Sequence, residues 1–233
     1  MVSVGGPAPD RPLLAAHGVA RRYGRTVALA PTTLEIHAGD SLALIGPNGA
    51  GKSTLLSILA GALQATEGSL SMAAADHRSA PKVGWVPQRP AHYARLTARE
   101  NLELFARLEG VADPERAAER LLRLVELPAD ARPTCELSAG NQQRLNLAVS
   151  LLAQPDVLLL DEPTASLDPR QRRRFWEVAS NVHQGGGAVV FATQNLEELE
   201  RFANRVVVLL EGKLVFDGTV AEFSRSSEAD VFS

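Results

Sequence analysis

Residues 41–63 read SLALIGPNGAGKSTLLSILAGAL, an apolar strand-like stretch, a glycine-rich loop and a helical run in immediate succession. From Gly46 to Ser53 the string fits the phosphate-binding pattern GxxxxGKS/T, and the strand–loop–helix setting is the context that pattern requires. Gly46, Gly49 and Gly51 let consecutive backbone N–H groups turn inward around a polyphosphate, with Pro47, Asn48 and Ala50 completing the loop. The helix opening near Lys52 adds its own unpaired N–H groups and the positive end of its dipole. Lys52 is expected to reach the outer phosphates, and Ser53, followed by Thr54, to offer a hydroxyl to Mg²⁺. The string predicts a bound nucleoside triphosphate.

Outward from that loop, segments rich in β-branched residues alternate with helical patterns, which predicts an α/β fold with a mainly parallel sheet. Strands are expected at Leu13 to Val19, Thr32 to Ile36, Ser41 to Ile45, Ser69 to Ala73, Val83 to Val86, Val157 to Leu160, Ala188 to Ala192, Val206 to Leu210 and Leu214 to Asp217. Val157 to Leu160 is apolar without alternation, as a strand covered on both faces should be. Helices are expected at Lys52 to Leu63, Arg170 to His183 and Leu196 to Ala203, and LLEGKL with FDG reads as a hairpin. From about Thr97 to Ala153 helical periodicity takes over. Thr97 and Glu100 form a capping-box pattern, Pro114 opens a second helix and Ser138 a third.

Composition narrows the class. With 233 residues, 45% of them apolar and 22% charged, the chain is of ordinary globular make-up and can bury a core without staples. A net charge of −3 gives no general pull toward nucleic acid or anionic membrane, so no nucleic-acid partner is expected. The lone Cys135 forbids an internal disulfide, fits a reducing compartment and reads as a small buried hydrophobe near a loop. No apolar run approaches the roughly 20 residues that span a bilayer. Residues 1–12 read as a loose tail rather than a signal peptide, which predicts a cytoplasmic chain. The cluster Arg170, Arg172, Arg173 and Arg174 reads as a solvated helix face.

Asp161 and Glu162 follow the apolar run Val157 to Leu160, at the carboxyl end of a buried strand, where the ligand sites of such sheets gather. Asp161 is expected in the Mg²⁺ shell, and Glu162 as the base that orients or deprotonates the attacking water.

The remaining segments, in order, resemble the ATP-binding cassette (ABC) ATPase family, and the likeness runs from about Leu13 to Phe223. Leu137 to Arg144, LSAGNQQR, is similar to the family's LSGGQ segment, with Ser138, Ala139, Gly140 and Asn141 at its matching positions. The resemblance implies that this helix start contacts the terminal phosphate of ATP bound by an opposite chain. Tyr23 in RRYGR resembles the aromatic that stacks on adenine. Gln88 in VGWVPQRP resembles the hinge glutamine that meets Mg²⁺ and water, and Asp168 in TASLDP the loop that crosses a dimer interface.

Taken together the resemblance implies a single domain over 13–223. It has a phosphate-loop NTPase core with a mainly parallel sheet, an antiparallel β subdomain and an all-helical subdomain inserted at about 89–153. It also implies ATP and Mg²⁺ as ligands and a homodimer or a heterodimer with a related ATPase chain. Transmembrane permease subunits would hold the dimer peripherally on the cytoplasmic face of the membrane. The likeness is to short exporter ATPases for drugs and antibiotics, and a brief tail at 224–233 leaves no room for the regulatory domain of some importers.

The pattern breaks in three places. Thr193-Gln194 stands where the family has Thr-His, so Gln194 occupies the third catalytic position as a neutral donor. Loss of a charge-assisted contact to a transition state costs roughly 1–3 kcal/mol, tenfold to over a hundredfold in rate. Ala139 replaces glycine and Asn141 replaces glutamine in the signature. These departures favour slow turnover by the isolated chain, and they motivate a second reading: a nucleotide-gated regulatory module with little hydrolysis. A soluble ATPase acting on ribosomes or DNA fits less well, because one phosphate loop lies only about 85 residues from the signature (Ser53 to Ser138).

Overall fold

A computed structural model describes residues 11–72, 80–128 and 131–226. Residues 1–10 and 227–233 of the expected tails, and Ala73 of one expected strand, lie outside the described residues. In chain order the elements are β1 Leu14–Tyr23, β2 Thr26–Ile36, β3 Ser41–Ile45, α1 Lys52–Leu59, β4 Glu67–Met72, β5 Val83–Val86, α2 Ala98–Leu108 and α3 Pro114–Leu124. They continue with α4 Ala139–Ser150, β6 Val157–Asp161, α5 Pro169–Gln184, β7 Ala188–Ala192, α6 Leu196–Phe202, β8 Arg205–Leu210, β9 Lys213–Thr219 and α7 Val220–Phe223.

A six-stranded sheet runs β5-β6-β7-β3-β8-β9, parallel except for the last pair. Its inner strands are apolar apart from Ser41, Asp161 and Arg205 at their ends, because both faces are covered. Side chains alternate across the sheet. Leu42, Leu44, Leu159 and Val190 face α1 and the small antiparallel sheet β2-β1-β4. Ala43, Ile45, Leu158 and Phe191 face the helices that carry Leu102, Leu145 and Trp176. Each fully buried large apolar side chain contributes about 1.5–3 kcal/mol, so the two layers fix the register of the central strands. That register matters for the site: Leu44 pairs with Ala192, and Asp161 pairs with the same Ala192 on its other side. The loops after β3, β6 and β7 therefore leave the sheet side by side.

The antiparallel sheet is longer than the sequence predicts. β1 and β2 form one hairpin around Gly24, at φ 58°, so Tyr23 ends a strand. Pro31 hides the continuity of β2 in the sequence, yet it is tolerated because β2 is an edge strand. Helix α1 stops at Leu59, not Leu63. Gly61 adopts φ 70°, its N–H bonds Ile58 O and the Ala62 N–H bonds Ser57 O, which closes the helix as a Schellman motif. The β8–β9 hairpin turns at Glu211-Gly212, both at positive φ, and β9 continues to Thr219 beyond the predicted Asp217.

Local signals start the helical layer as expected. Thr97 and Glu100 exchange backbone bonds in a capping box, Asp113 caps α3 ahead of Pro114, and Ser138 caps α4. Two expectations are corrected. Cys135 is exposed, in a short 3₁₀ turn, because the backbone rather than its thiol is tied down: its N–H bonds Ala94 O. The arginine cluster on α5 is not one solvated face. Arg173 and Arg174 pair with Glu177, but Arg172 turns inward to within 3.6 Å of the buried Glu198.

Candidate nucleotide site

The loop between β3 and α1 is pinned by backbone. A Cβ at Gly46 would stand 2.2 Å from Leu209 O, and one at Gly51 would stand 2.7 Å from Ala28 O, so the chain has room only for glycine at both. The β8–β9 turn braces the same loop: the Gly212 N–H donates to Ala50 O, and Gly212 O accepts from Ala30 N–H. Gly51 caps α1 without any side-chain bond, which leaves its first N–H groups to meet an anion. Lys52 is buried, at 5% exposure, and its ammonium donates to Gly46 O at 2.7 Å and Pro47 O at 3.1 Å. Burial pulls its pKa below the usual lysine value, and the nearby Glu162 and Asp161 charges oppose that shift.

At the carboxyl edge of the parallel strands, the Ser53 hydroxyl donates to Asp161 Oδ1 at 3.1 Å. Burial pushes the Asp161 carboxyl up from its ordinary pKa, and Ser53 and Lys52 partly counter it. Glu162 follows in the left-handed region, at φ 47°, with its N–H on Ala192 O. A non-glycine residue there costs of order 1 kcal/mol. The carboxylate lies between two amides. Gln88 Nε2 donates to Oε2 at 3.2 Å, and Gln194 Nε2 donates to Oε1 at 2.9 Å. Gln194 Nε2 also donates to Asn48 Oδ1 at 2.7 Å, so one amide links the phosphate loop to the carboxylate. Gln194, expected as a neutral donor, makes both bonds within the chain, because the β3–β7 register brings Asn48 and Gln194 to adjacent loops.

The expected signature residues lie on α4. Ser138 and Ala139 are exposed at its start, and Ser138 Oγ accepts from Asn141 N–H. Gly140 is buried: a Cβ there would meet Gln171 Oε1 at 2.6 Å and Leu167 at 3.3 Å. Asn141 Oδ1 accepts from Arg144, whose other nitrogen reaches Val125 O and Glu126 O. Asp168 caps α5 through Gln171 in a capping box. Among the described residues, no hydrogen bond joins this group to the phosphate loop. Tyr23 is 51% exposed, and the Arg21 guanidinium covers one ring face at 4.6 Å, leaving the other for a flat partner.

Donor chemistry fits Mg²⁺ arriving with a nucleotide. Ser53 and Asp161 are paired oxygen donors, and among the described residues no group of three His, Cys, Asp or Glu side chains would hold a metal without phosphate oxygens. Gln88 is turned to Glu162 instead of to Asp161.

Sequence reading missed what holds these loops. Thr164, after Glu162, and Thr193, before Gln194, both donate to the buried Glu198. The segment LEELERF carries several acids, and only packing selects the one that turns inward.

A glycine-pinned phosphate loop, a carboxylate pair at the sheet edge and an inserted helical layer define a phosphate-loop ATPase cassette. The ABC transporter family model matches residues 29–165, and the chain belongs to that family. It is 35% identical to the daunorubicin resistance ATP-binding protein DrrA3 of Streptomyces coeruleorubidus over 221 residues, 91% of this chain and 70% of that protein. It is 31% identical to the linearmycin resistance ATP-binding protein LnrL of Bacillus subtilis, over 89% of this chain and 69% of that one. A solved ATP-binding cassette, dimeric in a post-hydrolysis state with ADP and phosphate, superposes with a TM-score of 0.78 at 25% identity, covering 89% of this chain and 98% of that one. Among the described residues no helix is long and apolar enough to cross a membrane.

Proposed function

We propose that this chain is the ATP-binding and ATP-hydrolysing subunit of an ABC exporter. Two copies, or one copy and a related chain, close on two ATP molecules and drive separate membrane-spanning subunits from the cytoplasmic face. The observation that carries the reading is the Glu162 carboxylate bracketed by Gln88 and Gln194 beside Lys52, Ser53 and Asp161. The antibiotic-resistance names of the relatives support export as the direction and drug-like compounds as cargo.

In this reading the phosphate loop and Lys52 hold the phosphates, and the free face of Tyr23 stacks on adenine. Ser53 and Asp161 hold Mg²⁺, which when bound supplies charge neutralisation on the phosphate oxygens. Glu162 orients a water and takes its proton as the water oxygen bonds the terminal phosphorus. The bond from that phosphorus to the bridging oxygen breaks, and its electron pair leaves with ADP. Gln88 and Gln194 keep the base aimed. Ser138 and the opening N–H groups of α4 complete the site of the opposite chain, with Asp168 at the seam.

Gel filtration tests the pairing. With Mg²⁺ and a non-cleavable ATP analogue the chain, alone or with its membrane partner, is expected to elute as a dimer, and without Mg²⁺ as a monomer. A strict monomer under every condition overturns the reading.

Gln194 favours a second reading, a regulatory module with little turnover. The two bonds of its amide argue against that, since a neutral donor already fills the position. Gln194→His is expected to change turnover less than threefold at about pH 8, where imidazole is neutral. A rate advantage should appear only as pH falls through roughly 6.5 and the ring becomes cationic. A gain above tenfold at the higher pH would mark Gln194 as disabling and favour the regulatory module.

A further inference from the structure

Glu198, on α6, is 2% exposed, and it is unusual in what it touches. Its Oε2 accepts from Thr193 Oγ1 at 2.7 Å. Its Oε1 accepts from Thr164 Oγ1, takes a long 3.4 Å bond from Trp176 Nε1 and faces Arg172 Nε at 3.6 Å. Thr193 immediately precedes Gln194, and its hydroxyl also accepts from the Asn195 N–H. The hydroxyl hydrogen is therefore committed to Glu198. Thr164 lies two residues past Glu162. Trp176 and Arg172 belong to α5, the helix that Asp168 caps. One carboxylate thus ties together the three segments that carry Glu162, Gln194 and Asp168. It forms part of the wall of a cleft of about 310 Å³ that Glu162 and Gln194 also line. Trp176, stacked on Phe202 at 4.5 Å and edge-on to Phe191 at 4.7 Å, makes that support rigid.

A buried carboxylate is retained only where its bonds repay desolvation, and an apolar residue would fill this space without that cost. We infer that Glu198 is a positioning residue for ATP hydrolysis, holding the Glu162 and Gln194 loops at a fixed separation through Thr164 and Thr193. This rests on the proposed ATPase function. It concerns the loops, since the buried carboxylate is spent on Thr164, Thr193, Trp176 and Arg172.

Glu198→Ala is expected to lower kcat by about tenfold to hundredfold, as loop misplacement of about 1 Å does, with KM within about twofold. Glu198→Gln keeps the shape and one acceptor, and should fall between the two. Glu200→Ala, on the exposed face of the same helix, serves as the control and should match wild type. In hydrogen exchange, Glu198→Ala should speed the amides of residues 164–167 and 193–195 while leaving β3 and β6 protected. Unchanged exchange in both loops overturns the inference even if the wild-type chain proves inactive, an outcome that would instead sink the ATPase reading. Equal loss of protection throughout the core, or unchanged kcat with an active wild type, also overturns it.

Discussion

Glutamine in place of Glu162 is expected to cut steady-state phosphate release by about 10²–10⁴-fold, the usual contribution of a positioned general base. ATP affinity should stay within about twofold, because the carboxylate faces two amides and not the phosphate loop. The geometry adds a second cost. Both carboxylate oxygens accept, one from Gln88 and one from Gln194. A glutamine at 162 has one acceptor, so its own NH₂ must face one of those donors, and that neighbour loses its partner. The variant should accumulate as an ATP-bound dimer on gel filtration, since closure proceeds and reopening waits on hydrolysis. Turnover within threefold of wild type would remove Glu162 from the reaction.

Lys52→Ala is the second large effect, and it acts on binding. Its two bonds to Gly46 O and Pro47 O tie it to the loop, and in the proposed function its charge meets the outer phosphates. A hydrogen bond to a charged group contributes about 1.5–3 kcal/mol, so ATP affinity should fall by about tenfold to somewhat over a hundredfold. The upward shift of the melting temperature with Mg-ATP should disappear. pH supplies an independent check. Because burial lowers the folded-state pKa of Lys52, the unfolded chain binds more protons between that lowered value and 10.5, and stability of the nucleotide-free protein rises with pH across that window. Removing the ammonium should flatten that alkaline rise. A variant that binds ATP as wild type does would leave the glycine loop, and not its lysine, as the source of affinity.

Why some of this was readable from the chain alone follows from distance along it. The phosphate loop, the Thr97–Glu100 capping box, the Asp113-Pro114 start and the doubly covered strand ending at Asp161 are encoded within a few residues each. The strand expected from Thr32 in fact runs from Thr26 through Pro31, and only the edge position of β2 allows that proline. The apolar run carries the expected α1 on to Leu63 because Gly61 can sit inside such a run or end it, and the deciding bonds go to Ile58 and Ser57. What stayed hidden is long-range. Gln194 meets Asn48 across 146 residues, and Glu198 meets Thr164 across 34. No local pattern marks either pair. The signature helix falls between these cases: Ser138 was recognisable as a cap, but the burial of Gly140 against Leu167 and Gln171 needed the fold.

The brace under the phosphate loop also bears on biogenesis. Leu209 O closes over Gly46, and Gly212 bonds both Ala50 and Ala30, so the cradle is splinted by a hairpin encoded some 160 positions downstream (46 to 209). Domains take shape as units while the ribosome elongates at about 5–20 residues per second. A nascent chain that has emerged only as far as α5 already carries every glycine of the cradle, yet it lacks the splint, and it is expected to stay blind to nucleotide until the hairpin has followed.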